Sequence, residues 1–155
     1  MDTTSNAAHA APLSGRKVDQ LLAHYGESHR NPRNEAIHYV AIPLIILSLL
    51  GLLFALHPWA AYAFVAASMV YYARLSAPFL IAMALLSVAD LALLHAMGSL
   101  VLPLSVAIFV AAWIAQFVGH KIEGKKPSFL EDLRYLWVGP LFVLAALFTR
   151  MGIRW

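Results

Sequence analysis

Apolar residues in this chain gather into four long runs, Tyr39 to Leu56, Trp59 to Ala73, Pro78 to Leu94 and Leu100 to Val118, separated by short polar or turn-forming stretches. A helix needs about 20 largely apolar residues to cross about 30 Å of hydrocarbon. The pattern predicts an all-α, polytopic membrane helix bundle of four spans, the second one short. A fifth apolar stretch, Leu136 to Phe148, lies between Arg134 and Arg150 and carries Gly139-Pro140 near its start. It is too short for a comfortable span, so a re-entrant or interfacial segment is favoured over a tilted span with snorkelling arginines.

Composition supports this reading. Of 155 residues, 61% are hydrophobic and 12% charged, against about 25% charged in a soluble domain. Residues 1 to 15 are Ala/Ser/Thr-rich and read as a disordered tail before a single membrane-embedded domain, 16 to 155. The polar first 36 residues lack the apolar core of a cleavable signal peptide. With no cysteine in the chain, disulfides, thiolate metal sites and cysteine nucleophiles are excluded, while the compartment is left open.

The formal charge of +3 reads as topology bias rather than nucleic-acid binding. Arg16, Lys17, Arg30 and Arg33 precede the first span, Arg74 follows the second, and Lys121, Lys125, Lys126 and Arg134 follow the fourth. The turns around His57-Pro58 and His95 to Ser99 hold no Lys or Arg. The positive-inside rule then places the N-terminus and the other basic loops in the cytoplasm. That membrane is the inner membrane in a bacterium and the endoplasmic reticulum in a eukaryote.

Two polar clusters share that cytoplasmic face. The first is Ser28 to Pro43, where Asn31 reads as a helix cap and Pro32 as the first helical residue. Asn34 and His38, four apart, share a face of that helix. His29 lies in the preceding turn and can fold back towards His38. Tyr25, four residues earlier, is placed to hydrogen-bond a ligand. The second cluster, Gln116, His120 and Glu123, is a stripe at i, i+4 and i+7, with Gly119 beside it permitting close approach of another backbone.

Ionisable groups at a bilayer boundary point to a site. Neutral imidazoles suit Fe, Zn, Cu and Ni, and two or three of them with an optional carboxylate and open positions is the pattern of non-haem Fe(II) oxygen chemistry, where Asn34 and Gln116 would orient rings or bound water. The alternative is that these groups only reach headgroups and water. His9, His24, His57 and His95 read as tail, surface or far-face residues. Asp90, within the third span, needs a partner such as a hydroxyl or water. The aromatic residues Trp59, Tyr62, Tyr71, Tyr72, Trp113 and Trp137 read mostly as an interfacial belt.

The paired motifs, Tyr25-x3-His29-x-Asn31-Pro32-x-Asn34-x3-His38-x4-Pro43 and Gln116-x2-Gly119-His120-x2-Glu123-x3-Pro127, resemble those of the small membrane dioxygenases related to the yeast endoplasmic-reticulum enzyme of 2-hydroxy fatty acid α-oxidation. The resemblance covers about Val18 to Pro140. It implies an Fe(II)-dependent dioxygenase that uses O2 to shorten a 2-hydroxy long-chain fatty acid by one carbon. Its metal ligands would be His29, His38 and His120, with Tyr25, Asn34, Gln116 and Glu123 in supporting catalytic roles. Spacing of the acid after Gly-His varies among such relatives, which leaves Glu123 either ligand or hydrogen-bond partner. Arg30, Arg33 and Lys121 are the nearest cations for the substrate carboxylate. A homo-oligomer is compatible with all of this. The competing readings are a small membrane transporter or channel, using Asp90 and the helix at Pro43, and a membrane assembly protein without chemistry.

Overall fold

The computed structural model describes residues 15–124, 133 and 135–155, and these contain helices and no strand. Residues 1–14 of the expected tail, and the basic segment at Lys125 and Lys126, with Arg134, lie outside the described residues.

Helix α1, Lys17–Gly26, leads through a turn to α2, Pro32–Leu56. The start of α2 follows from Asn31, whose Oδ1 accepts the Arg33 amide at 3.0 Å, and from Pro32 at the first helical position,. Pro43 does not end the helix. His57 does, in an extended conformation (φ −166°) that closes α2 and caps α3, Pro58–Ala73, by accepting the Trp59 amide on Nδ1. After Ser76 the chain enters α4, Ala77–Met97. Gly98, at φ +55°, breaks it in a conformation open to glycine, and a 3₁₀ turn, Gly98–Leu100, leads into α5, Val101–Glu123,. The last helix, α6, is Val138–Met151.

Helices α2 to α5 alternate in direction. One cluster joins Leu50 of α2, Ala61 of α3, Leu94 of α4 and Val101 of α5. The opposite end gathers Val18, Tyr72, Phe79, Leu141 and Phe148 around α1, the end of α3, the start of α4 and α6. Antiparallel α2 and α5 form the closest pair. Gly51 lies so near Ser105 that an added Cβ would stand 2.0 Å from its Oγ. Small residues let two backbones approach in this way.

By length and composition α2 and the continuous helical stretch Ala77–Glu123 are long and apolar enough to cross a membrane. The 16 residues of α3 and the 14 of α6 fall short of that length,. The fifth apolar stretch is thus a short helix, packed on α1, α2 and α4. Outward-facing Ile81, Leu85 and Val88 of α4 and Val106, Val110 and Ile114 of α5 are exposed. Such a continuous apolar exterior marks a partner or a lipid surface.

Polar ties hold the ends of α6. The Trp137 indole donates to Ser68 Oγ at 2.9 Å and the Tyr72 hydroxyl to the Trp137 carbonyl at 3.2 Å, fastening the entry of α6 to α3. Beyond its other end, Trp155 donates to Asp19 and accepts from the Arg16 guanidinium, which fixes α1. Tyr72 and Trp113 are core residues, 1% and 7% exposed, whereas Trp59 is exposed. The belt expected from the aromatic residues therefore divides. Aromatics facing α6 or α2 are buried by a neighbour that the pattern of spans does not place.

Candidate functional site

Three imidazoles meet where the turn before α2, the first turns of α2 and the last turns of α5 come together. The His29 ring centre lies 4.3 Å from that of His38 and 6.0 Å from that of His120, and His38 and His120 are 5.0 Å apart. All three are buried. The chain brings His29 back because three turn hydrogen bonds, Glu27 N–H to His24 O, Ser28 N–H to Tyr25 O and His29 N–H to Gly26 O, curl the segment tightly after α1.

Backbone carbonyls set the orientation of two rings. His29 Nδ1 lies 2.8 Å from the Tyr25 carbonyl and His38 Nδ1 2.9 Å from the Asn34 carbonyl, each four residues earlier. A carbonyl accepts only, so each neutral ring carries its proton on Nδ1 and its lone pair on Nε2. This is the tautomer of a metal ligand whose other nitrogen is held by an outer partner. Rings from α1 and α6 pack behind His29. Tyr25 stacks on it at 4.3 Å and 13°, and Phe142 lies 5.4 Å away.

Glu123 does something different. Its Oε1 accepts the Arg30 amide and its Oε2 the Asn31 amide and the Asn34 side chain, each at 2.9 Å. Three donors thus converge on one carboxylate. Glu123 lies beyond the apolar run, which ends at Val118. It ties the end of α5 to the entry of α2 and occupies both oxygens in doing so.

Asn34 is fully buried and also donates to the Ser28 carbonyl at 3.3 Å. It supports the site twice, through its carbonyl on His38 and its amide on Glu123. Gly119 is the reason these groups fit. A Cβ there would stand 2.4 Å from Asn34 Oδ1 and 3.1 Å from His38 Cε1. Gln116, one turn before His120, is buried against α2. Arg30, Arg33 and Lys121 are exposed at the same end of the bundle.

The remaining polar candidates lie elsewhere. His57 and the hydrogen-bonded pair of His95 and the Tyr62 hydroxyl (2.8 Å) occupy the far end. His24 is exposed beside Glu27, and His9 lies outside the described residues. Asp90 sits within α4, which packs on α3, α2 and α6 and takes no part in the cluster. Sequence reasoning passed over Phe142, and it read Trp113, which is buried, as part of an interfacial belt. The one signal near Phe142 was Gly139-Pro140, since Gly139 admits Ile42 and the Tyr25 hydroxyl at 3.3 and 3.5 Å from a built Cβ.

Among the described residues no set of three or more His, Cys, Asp or Glu side chains has its donor atoms already gathered as an ion site. The rings, rather than a finished coordination sphere, are what the fold brings together. By donor chemistry the three imidazoles fit a divalent transition metal such as Fe, Zn, Cu or Ni. Both oxygens of Glu123 are already engaged by the Arg30 and Asn31 amides and the Asn34 side chain.

A family model described as "2-hydroxy-palmitic acid dioxygenase Mpo1-like" matches residues 16–151. The chain belongs to the Mpo1-like family. It is 29% identical over 138 residues, 84% of this chain and 79% of the relative, to the 2-hydroxy-palmitic acid dioxygenase MPO1 of Saccharomyces cerevisiae. No solved structure matches it. The family match spans every element that builds the histidine cluster, from α1 to α6.

Proposed function

We propose that this chain is a membrane dioxygenase that shortens 2-hydroxy long-chain fatty acids by one carbon, with His29, His38 and His120 holding Fe(II). The observation that carries the reading is the meeting of three buried imidazoles, two with Nε2 lone pairs fixed by backbone carbonyls, in a chain of this family. The name of the yeast relative supplies the substrate class.

Bound iron supplies the redox chemistry with O2 that cleavage of the C1–C2 bond requires. The protein's part is orientation and exclusion of water. The carbonyls of Tyr25 and Asn34 hold two rings in one tautomer, Glu123 holds the turn that carries His29 against α5, and Tyr25 and Phe142 close the apolar side,. Arg30, Arg33 and Lys121, exposed at this end, are the cations nearest for a carboxylate at the boundary,.

Helices α2 to α5 are proposed to cross the bilayer in alternation, with the histidine end cytoplasmic. Arg16, Lys17, Arg30, Arg33, Arg74 and Lys121 all lie at that end, and the far turns hold no Lys or Arg,. An acyl chain then lies among apolar helices while its head reaches the histidines.

The test is oxygen uptake by purified, Fe(II)-loaded protein given a 2-hydroxy C16 acid, with the shortened product identified by mass. A protein with full iron that consumes no oxygen with any 2-hydroxy acid would overturn the reading.

A further inference from the structure

Gln116 carries a polar atom that the histidine cluster does not use. Its side chain is 4% exposed, and Oε1 is buried with no hydrogen-bond partner among the described residues. Leaving a carbonyl oxygen dry and unpaired is costly, so such an atom calls for an occupant. Gln116 lines a cavity of about 20 Å³ together with Ile42, Ile45, Trp113 and Leu136, where α2 and α5 meet the segment entering α6. A single water needs roughly 10–15 Å³. The space beside the Gln116 side chain therefore accepts one group of hydroxyl size, which meets Oε1 once the amide turns about its last bond to face it.

The chemistry of the oxygen narrows the occupant. An amide carbonyl accepts hydrogen bonds and cannot donate them, so the unpartnered oxygen selects a donor. At neutral pH the head of a 2-hydroxy fatty acid contains one donor, the 2-hydroxyl. An unsubstituted fatty acid contains none.

We propose that Gln116 is the specificity-determining residue that distinguishes 2-hydroxy acids from unsubstituted ones, its Oε1 accepting the 2-hydroxyl proton. This rests on the dioxygenase reading and assigns it a recognition element. Its position fits, since Gln116 lies one helical turn from His120 on the same face of α5,. A hydroxyl at Gln116 leaves the adjoining carboxylate to be directed towards the histidines. The competing occupant is an ordered water.

The test uses metal-free full-length protein in lipid nanodiscs, so that chelation contributes nothing to selectivity. Displacement of a radiolabelled fatty acid is measured with 2-hydroxyhexadecanoic acid and with hexadecanoic acid. Wild-type protein should prefer the hydroxy acid by about tenfold, the worth of one hydrogen bond. Gln116→Leu and Gln116→Met should bind both acids alike, with affinity for hexadecanoic acid kept. A wild type without preference, or either folded variant that keeps the wild-type preference, overturns the proposal and leaves water as the occupant. Oxygen uptake by the iron-loaded wild type judges the dioxygenase reading separately. Uptake with preference intact in the variants removes only Gln116, whereas no uptake with any 2-hydroxy acid removes the activity.

Discussion

Glu123 Oε2 and Asn34 Nδ2, 89 residues apart in sequence, stand 2.9 Å from each other and join the last turn of α5 to the first turn of α2. With the Arg30 and Asn31 amides on the same carboxylate, this contact makes the histidine cluster a property of two helix ends held together. Glu123 is thereby given a structural duty that competes with ligation.

That duty predicts the behaviour of Glu123→Gln. A glutamine turns one acceptor oxygen into a donor facing a backbone N–H, so the turn loosens while the three imidazoles remain. Iron should stay largely bound, with affinity or activity falling about 10–100-fold, the range for residues that support a ligand. Thermal stability should drop by about 1–3 kcal/mol from the unsatisfied donors. Metal content and melting temperature check this. Complete loss of iron with an unchanged melting temperature would make Glu123 a ligand after all.

The histidines divide sharply. His29→Ala, His38→Ala and His120→Ala should each remove most bound iron and abolish oxygen uptake, because a three-imidazole set has no spare member. His57→Ala and His95→Ala, at the far end, should change neither beyond experimental error. Elemental analysis of the five proteins decides. Full iron occupancy in His120→Ala would take α5 out of the site.

Much of this arrangement is legible in the sequence because it is local. Asn31-Pro32 starts a helix wherever it stands before an apolar run, and a residue four after another on a helix shares its face, so Asn34 with His38 and Gln116 with His120 follow from spacing. Gly119 beside a polar stripe announces a close backbone approach. What stayed hidden depends on tertiary packing. The docking of α6, which sets Phe142 on His29, follows from no periodicity in its 14 residues, and the partners of Glu123 are two backbone amides that carry no sequence signal. The spacing of Tyr25 places it to hydrogen-bond a ligand without saying through which atom. It meets His29 through its carbonyl and its ring face.

Topology can be read with single cysteines, since the native chain has none. Arg30→Cys and Lys121→Cys are exposed at the histidine end and Trp59→Cys at the far end. An impermeant thiol reagent should label the first two from the cytoplasmic side and the third from the opposite side. Labelling of positions 30 and 121 from opposite sides would separate the two halves of the site and defeat the bilayer arrangement.

Gly119 offers the most direct mechanical test. The methyl of Gly119→Ala would stand 2.4 Å from Asn34 Oδ1, inside any tolerable contact, and a tight 3.1 Å from His38 Cε1, and neither group is a flexible surface tip. Asn34 is held by Ser28 and Glu123, and His38 by the Asn34 carbonyl, so relief has to come from α5 moving off α2. Overpacking of this kind costs about 1–3 kcal/mol. His120 moves with α5, and iron affinity should fall more than tenfold along with the melting temperature. Gly15→Ala, where a Cβ meets nothing within 4 Å, is the matched control and should leave both unchanged. If Gly119→Ala binds iron as tightly as the wild type, the close approach of α5 to α2 is not what positions the third histidine.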